Sequence, residues 1–284
     1  SLDTALASAR ASQRQEQGLA AVSQPAHQGP SLRVDVKSTP STVRAWLSEL
    51  KVRRGADGRL VANAQQFRAI EQVSERVIVE LCADDNDAQD FGEPFRWCLH
   101  GGPGTGKSHV IKLLKELFVD VLGWDMGVQF QVVAFQAVMA QLIGGDTIHH
   151  ACGIPVYKRG QDSDSAAQSR MDVAKRVLRW RWLVIDEISM VSARLLAEMD
   201  VKLRDVIRDL DIQKKGLDNV TRPFGGLNVL CCGDFWQLEP PDGGFLGDIP
   251  TEFIRRARKY QPAPTVSHGQ ALLWGGADVG VQGV

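Results

Sequence analysis

The chain has 284 residues, of which 44% are hydrophobic and 24% are charged, and its formal net charge is −1. This length and apolar content suffice for one large or two ordinary domains with a buried core. The near-neutral charge excludes a generally basic coat for nucleic acid, so that any binding to phosphate backbones must depend on local basic patches. No apolar run approaches the roughly 18 residues that a membrane span needs, and we expect no membrane contact.

The five cysteines show neither C-x-x-C spacing nor histidine partners at zinc-finger spacing. A disulfide framework or a structural zinc site is therefore not expected, and we expect an intracellular protein. In a eukaryote its compartment would be the nucleus or the mitochondrion, and otherwise the cytoplasm. The chain begins with Ser1 and stops in a stretch rich in Gly and Val, so we expect a fragment of a longer protein.

Residues 1–60 are predicted to form a mobile N-terminal extension, because their first 40 residues are poor in aromatics and contain several prolines. Within it, residues 41–50 are a candidate short helix with Ser41 as its cap. A longer amphipathic helix is predicted over residues 63–81, with Asn63 as N-cap. Gln66 follows three residues later and has two interpretations: it completes a capping box with Asn63, or it reads an adenine base.

A glycine-rich segment matches the pattern G-x-x-x-x-G-K-[ST] between a predicted strand and a predicted helix. Its free backbone N–H groups, together with the first N–H groups of the helix, are suited to bind a polyphosphate. Lys107 would place its ammonium on the outer phosphates, and Ser108 would offer its hydroxyl to Mg²⁺. The residues predicted to bind nucleotide are Gly102, Pro103, Gly104, Thr105, Gly106, Lys107 and Ser108. A glycine-rich turn that binds no nucleotide is the simpler alternative.

The alternation of apolar and polar residues predicts a strand over residues 128–134, and a short helix is predicted over residues 136–143. A dense basic stretch then leads to Trp180 and Trp182. These two side chains could stack on unpaired bases beside phosphate contacts, or they could simply be buried ahead of a core strand. We favour the buried interpretation.

An apolar run from Trp182 ends in two carboxylates, Asp186 and Glu187. The carboxyl ends of parallel strands meet at one edge of a sheet, where the glycine-rich loop would also open. Asp186 would hold the hydrated Mg²⁺, and Glu187 would orient and deprotonate the attacking water. Helix-capping acids are the alternative interpretation of this pair.

A second buried strand is predicted over residues 227–232, and it runs into the sequence Gly-Asp-Phe-Trp-Gln-Leu. Gln237 lies in this segment, at the carboxyl end of the strand. A polar amide there could sense the outermost phosphate and report its loss to the part of the protein that grips the substrate. Without the other two motifs the segment would be an ordinary turn.

The motifs resemble, in order, those of the Pif family of superfamily-one DNA helicases. The matching segments are residues 101–108, 144–149, 184–191, 224–226 and 233–238, within a similarity that runs from about residue 63 to residue 274. The resemblance implies a RecA-like α/β fold, with a parallel sheet flanked by helices, that uses ATP and Mg²⁺. It also implies 5′-to-3′ unwinding of DNA in repair, recombination and telomere maintenance.

The resemblance also implies roles for single residues. Gln66 would read adenine, and Gln237 would couple hydrolysis to strand movement. The residues serving ATP and Mg²⁺ would be Lys107, Ser108, Asp186 and Glu187. Thr147 and His149 match a segment that lies near single-stranded DNA, although Gln136 and Ala137 replace the Thr-Gly pair that usually precedes it.

Superfamily-one helicases complete their ATP site with arginines from a second RecA-like domain, and such arginines are worth roughly 10³ to 10⁵ in rate. We therefore expect residues 61–284 to be a C-terminally truncated first motor domain that binds nucleotide but hydrolyses it poorly alone. The expected partners are single-stranded DNA, duplex junctions and the second domain. A DNA-binding module that never unwinds and an oligomeric ring ATPase are the alternatives.

Overall fold

The computed structural model describes residues 38–85, 93–155, 172–207, 222–241, 243–248 and 264–274. The α-helices are α1 (Pro40–Val52), α2 (Ala64–Asp85), α3 (Lys107–Glu116), α4 (Ala137–Leu142), α5 (Ile148–Cys152), α6 (Ala193–Ile207) and α7 (Pro264–Trp274). Residues 172–177 are also helical. A π-helical turn, Leu117–Val121, follows α3, and 3₁₀ turns occupy Ile188–Met190 and Pro223–Gly226.

The strands are β1 (Arg96–His100), β2 (Phe130–Ala134), β3 (Asp146–Thr147), β4 (Trp182–Asp186) and β5 (Asn228–Gly233). They form one five-stranded sheet in the order β1-β5-β4-β2-β3, and every pair is parallel. Ala134 lies opposite Asp186, and His100 lies opposite Gly233. The carboxyl ends of the strands therefore meet at one edge, and the prediction of a RecA-like α/β fold is confirmed.

Both faces of the sheet are covered, which explains why its central strands are apolar without interruption. Alternate residues enter two different clusters of buried side chains. One cluster contains Val133, Leu183, Ile185, Val229 and Cys231, and the other contains Val132, Trp182, Val184, Leu230 and Cys232. Trp180 and Trp182 are 2% and 0% exposed, so the buried interpretation of the two tryptophans is confirmed.

The first helix belongs to the packed domain rather than to a mobile extension. Its buried residues, Val43, Trp46, Leu47 and Leu50, lie in the same cluster as the α2 and α3 residues. The indole Nε1 of Trp46 donates to Glu116 at 2.9 Å. The cap is Thr39, not Ser41. The predicted extension is therefore wrong for residues 38–60, while residues 1–37 and 275–284 lie outside the described residues.

Two short elements were not predicted. β3 has two residues, and α5 has five. Both are too short for a hydrophobic period to be read from the sequence, and the pairing of β3 with β2 is a long-range contact. Among the described residues, no helix combines the length and the apolarity needed to cross a membrane.

A buried polar network fixes α2 on the sheet. The side-chain oxygen of Asn228 accepts from the Phe95 backbone N–H at 2.8 Å and from Arg76 Nε at 3.1 Å. Its amide group donates to the Glu80 carboxylate, which also accepts from Trp182 Nε1 at 3.3 Å. Burial raises the pKa of Glu80. The network matters for the site because α2 carries Gln66 at its amino end.

Asn228→Ala is expected to lower the free energy of unfolding by about 2 to 4 kcal/mol, because it removes hydrogen-bond partners from the buried Glu80 carboxyl group and the partly buried Phe95 N–H group. Urea denaturation would measure the loss. Gln131→Ala is the matched control, since Gln131 is a buried amide of β2 whose Nε2 donates to the neighbouring Val132 carbonyl at 3.1 Å. An equal loss in both variants would show that the network adds nothing beyond one buried amide.

Candidate nucleotide-binding site

The glycine-rich segment of residues 101–106 forms the loop between β1 and α3, as its sequence pattern predicts. We call it the phosphate loop. The Gly101 N–H donates to the Gly233 carbonyl of β5 at 3.1 Å, which fixes the start of the loop. Gly104 and Gly106 have φ angles of 72° and 88°. Because residues other than glycine rarely adopt this left-handed backbone conformation, the loop depends on glycine at both positions.

The amino end of α3 presents the groups expected to hold phosphates. Its N-cap, Gly106, has no side chain that could bond to the first N–H groups of the helix. These N–H groups are therefore available to bind an anion. Lys107 Nζ donates to the carbonyls of Gly101 at 2.5 Å and Gly102 at 3.1 Å. The ammonium is therefore held over the loop, and the hydroxyl-bearing Ser108 is exposed beside it.

Gln66 completes the capping box at the start of α2. Its Oε1 accepts from the Asn63 N–H at 3.0 Å, and Asn63 Oδ1 accepts from the Gln66 N–H at 2.9 Å. The same side chain also donates from Nε2 to the Thr105 carbonyl at 2.9 Å. The capping interpretation is therefore confirmed, and the bond to the phosphate loop is a contact that the sequence did not reveal. Adenine reading by Gln66 stays a prediction.

The two acids lie at the carboxyl end of β4, as predicted. Asp186 is 2% exposed, and burial raises its pKa to about 6. The Glu187 N–H, which donates to Asp186 Oδ1 at 3.0 Å, and the nearby Lys107 ammonium both lower this pKa in part. The loop and the acids leave the carboxyl ends of β1 and β4, which lie on either side of β5, so both parts reach the same edge of the sheet.

Glu187 has a left-handed backbone, with φ 52° and ψ 51°. Residues with a side chain adopt this region at a cost of about 1 to 3 kcal/mol, and such strain concentrates at functional sites. The conformation turns the chain sharply as it leaves β4, so that Asp186 and Glu187 do not continue the alternation of the strand. The sequence pattern does not reveal this strain.

Asp186→Asn is expected to stabilise the fold above about pH 6. The folded pKa of about 6 lies above the ordinary aspartate pKa of 3.8, so ionisation opposes folding and costs up to about 3 kcal/mol once both states are ionised. The gain from the neutral amide should be larger at pH 8 than at pH 5. Denaturation at both pH values would measure it, with the exposed Asp120→Asn as control. A gain that does not depend on pH would contradict this explanation.

Gln237 lies in the turn that follows β5. Its backbone N–H donates to the Asp234 carbonyl at 3.0 Å, and Asp234 Oδ1 accepts from the Trp236 N–H at 3.0 Å. Trp236 and Leu238 are 88% and 72% exposed on either side of Gln237. The turn starts at the same sheet edge as the loop and the acids, and the role of Gln237 stays a prediction.

The donor set fits Mg²⁺ bound together with a nucleotide. Among the described residues there is no group of three or more His, Cys, Asp and Glu side chains that could hold a metal ion alone. Mg²⁺ usually takes one or two protein ligands and completes its shell with phosphate oxygens and water. Ser108 and Asp186 offer one hydroxyl and one carboxylate, which suits this mode of binding.

Thr147 and His149 lie at the other end of the same sheet edge. Thr147 Oγ1 caps α5 by accepting from the His150 N–H at 3.3 Å. The His149 ring lies 5.8 Å from the Phe135 ring. Gln136, which replaces the expected threonine, is the N-cap of α4. Contact between Thr147 or His149 and DNA stays a prediction.

The family model described as PIF1-like helicase matches residues 72–243, which is more than half of the chain. The match contains Lys107, Asp186, Glu187 and Gln237, and it begins after Gln66.

Curated relatives include the ATP-dependent DNA helicase PIF1 of Saccharomyces cerevisiae, which is 33% identical over 164 residues, or 57% of this chain and 17% of that protein. The human ATP-dependent DNA helicase PIF1 is 30% identical over 178 residues, or 63% of this chain and 24% of that protein. The chain therefore spans only a small part of these relatives. A crystal structure of Bacteroides Pif1 bound to single-stranded DNA has 25% identity and a TM-score of 0.41, covering 63% of this chain and 33% of that one.

Proposed function

Because the chain belongs to the PIF1-like helicase family, we propose that it is the first motor domain of an ATP-dependent DNA helicase. The observation that carries this proposal is that the phosphate loop and the buried acid leave the carboxyl ends of β1 and β4, at one edge of the parallel sheet. A nucleotide-driven motor needs both parts in one place, because one holds the phosphates and the other serves the metal and the attacking water.

In the proposed reaction, Lys107 binds the outer phosphates of ATP. Ser108 and Asp186 would hold Mg²⁺, which would neutralise charge on the phosphates. Glu187 orients a water molecule in line with the outermost phosphorus and accepts its proton. Gln66 reads the adenine base, and its bond to the Thr105 carbonyl would connect base recognition with the loop.

The proposed substrate is DNA with a single-stranded region or a duplex junction, unwound in the 5′-to-3′ direction. Gln237 would pass the loss of the outermost phosphate to the residues that grip the strand, with Thr147 and His149 near that strand. A second RecA-like domain would supply the arginines that complete the site, and this chain alone would hydrolyse ATP slowly. The curated relatives named above are eukaryotic, which favours the nucleus or the mitochondrion, in repair, recombination or telomere maintenance.

The test is unwinding of a forked duplex by a longer chain in which a second RecA-like domain follows residue 284. We expect DNA-stimulated ATP hydrolysis and strand separation, both of which require Lys107. A protein that binds single-stranded DNA in a nucleotide-dependent manner but never separates strands would contradict the proposal. That outcome would identify the alternative, a DNA-binding module without motor activity.

A further inference from the structure

The histidine that ends β1 contacts the turn that follows β5. His100 Nε2 lies 3.5 Å from Asp234 Oδ1. The imidazole ring is stacked on the Phe235 ring, with 5.7 Å between centroids and an interplanar angle of 8°. Beside it, the Gly101 N–H donates to the Gly233 carbonyl at 3.1 Å. The residue that precedes the phosphate loop therefore contacts the first two side chains of the turn.

Asp234 organises the rest of that turn. It is 1% exposed, its Oδ1 accepts from the Trp236 N–H at 3.0 Å, and its carbonyl accepts from the Gln237 N–H at 3.0 Å. The oxygen that faces His100 is thus the same oxygen that holds the Trp236 backbone. A shift of Asp234 must move Trp236 and Gln237 with it.

Phe235 also contacts two aromatic rings from later in the described chain. Its ring lies 5.4 Å from the Trp274 ring of α7 and 6.0 Å from the Phe245 ring. Trp274 is itself bonded to the Leu246 carbonyl through Nε1. The turn is therefore held between the strand that carries the phosphate loop and α7, and its position depends on both contacts.

We propose that His100 is a positioning residue that passes the occupancy of the phosphate loop to the turn carrying Gln237. This inference rests on the proposed nucleotide-binding function. The phosphate-binding pattern begins at Gly101 and does not require a histidine before it. The His100 side chain is 41% exposed, so water screens its attraction to Asp234 and the pair adds little to stability. Its effect is on the geometry of the turn.

The experiment uses Trp236 as a reporter, because it is 88% exposed and lies in the turn. The chain is titrated with Mg²⁺ and a non-hydrolysable ATP analogue. The fluorescence of Trp236 is the difference between wild type and Trp236→Phe, and its change during the titration is the Trp236 response. Calorimetry measures the affinity in parallel. In His100→Ala we expect the affinity to stay within about fivefold of wild type while most of the Trp236 response is lost.

Asp234→Asn is the second variant, because the amide keeps an acceptor for the Trp236 N–H but loses the charge that faces His100. We expect the same loss of response. His150→Ala is the matched control, since His150 Nδ1 lies 2.5 Å from Asp146 Oδ2 in another histidine–aspartate pair, on β3 and α5. This control should keep the Trp236 response.

An unchanged Trp236 response in His100→Ala and Asp234→Asn would overturn the inference. So would loss of nucleotide binding in His100→Ala, because His100 would then belong to the binding site itself. If the wild-type chain binds nucleotide without any Trp236 response, the inference is overturned but the proposed function is not. A wild-type chain that gives no heat with nucleotide overturns the proposed function and, with it, the inference.

Discussion

Glu187→Gln is expected to lower the rate of ATP hydrolysis by about 10²- to 10⁴-fold, the usual contribution of a positioned general base. The amide keeps the size of the side chain and can adopt the same left-handed backbone, so the turn after β4 should survive. It cannot accept the proton of the attacking water. Nucleotide affinity should therefore change little while turnover collapses.

The measurement is steady-state phosphate release, with affinity from calorimetry on the same preparations. Because this chain alone is expected to be slow, the comparison is made in the longer protein with a second RecA-like domain. Glu198→Gln is the matched control, since Glu198 lies on α6 and pairs with Arg194 at 3.3 Å. Hydrolysis that persists in Glu187→Gln would remove the proposed general base from the mechanism.

Lys107→Ala is expected to weaken binding of Mg²⁺–ATP by about a hundredfold or more, because truncation removes the positive charge that would pair with the outer phosphates. In the structure this lysine donates to the carbonyls of Gly101 and Gly102. Its loss therefore also removes two contacts that shape the loop.

Calorimetry would measure the affinity, and thermal unfolding would show whether the loop change spreads into the fold. Lys112→Ala is the matched control, because Lys112 is an exposed lysine on the same helix, α3. We expect wild-type affinity in that variant. Equal weakening in both variants would mean that the binding depends on the general charge of the helix and not on the lysine of the loop.

The phosphate loop and the acid pair could be predicted from the sequence because each is a local pattern whose chemistry constrains its residues. Gly106, Lys107 and Ser108 must be adjacent for one loop to wrap a polyphosphate. Asp186 follows a short apolar run that is typical of a buried strand in a parallel sheet. The resemblance based on these motifs is confirmed by the family match over residues 72–243.

The contacts that join distant segments could not be predicted in the same way. The bond from Gln66 to the Thr105 carbonyl and the stacking of His100 on Phe235 depend on how elements pack. Neither has a spacing that marks it in the sequence. The raised pKa of Asp186 likewise follows from burial among neighbouring strands.

The position of α1 is a different case, because the sequence itself contains a hydrophobic stripe that indicates packing on the core. Its buried residues, Val43, Trp46, Leu47 and Leu50, recur at helical spacing. Such a stripe predicts a helix that packs on a core. The proline-rich residues before it favour an extension, but the stripe packs against α2 and α3 and makes the helix part of the domain.

The central claim is that Lys107 and Asp186 act on one Mg²⁺–nucleotide complex, and a double-mutant cycle tests it most directly. Calorimetry would give the affinity for Mg²⁺ and a non-hydrolysable ATP analogue in wild type, Lys107→Ala, Asp186→Asn and the double variant. We predict that each change weakens binding and that the two effects are not additive, as expected for residues that share a partner. Additive effects, or wild-type affinity in Asp186→Asn, would contradict the claim.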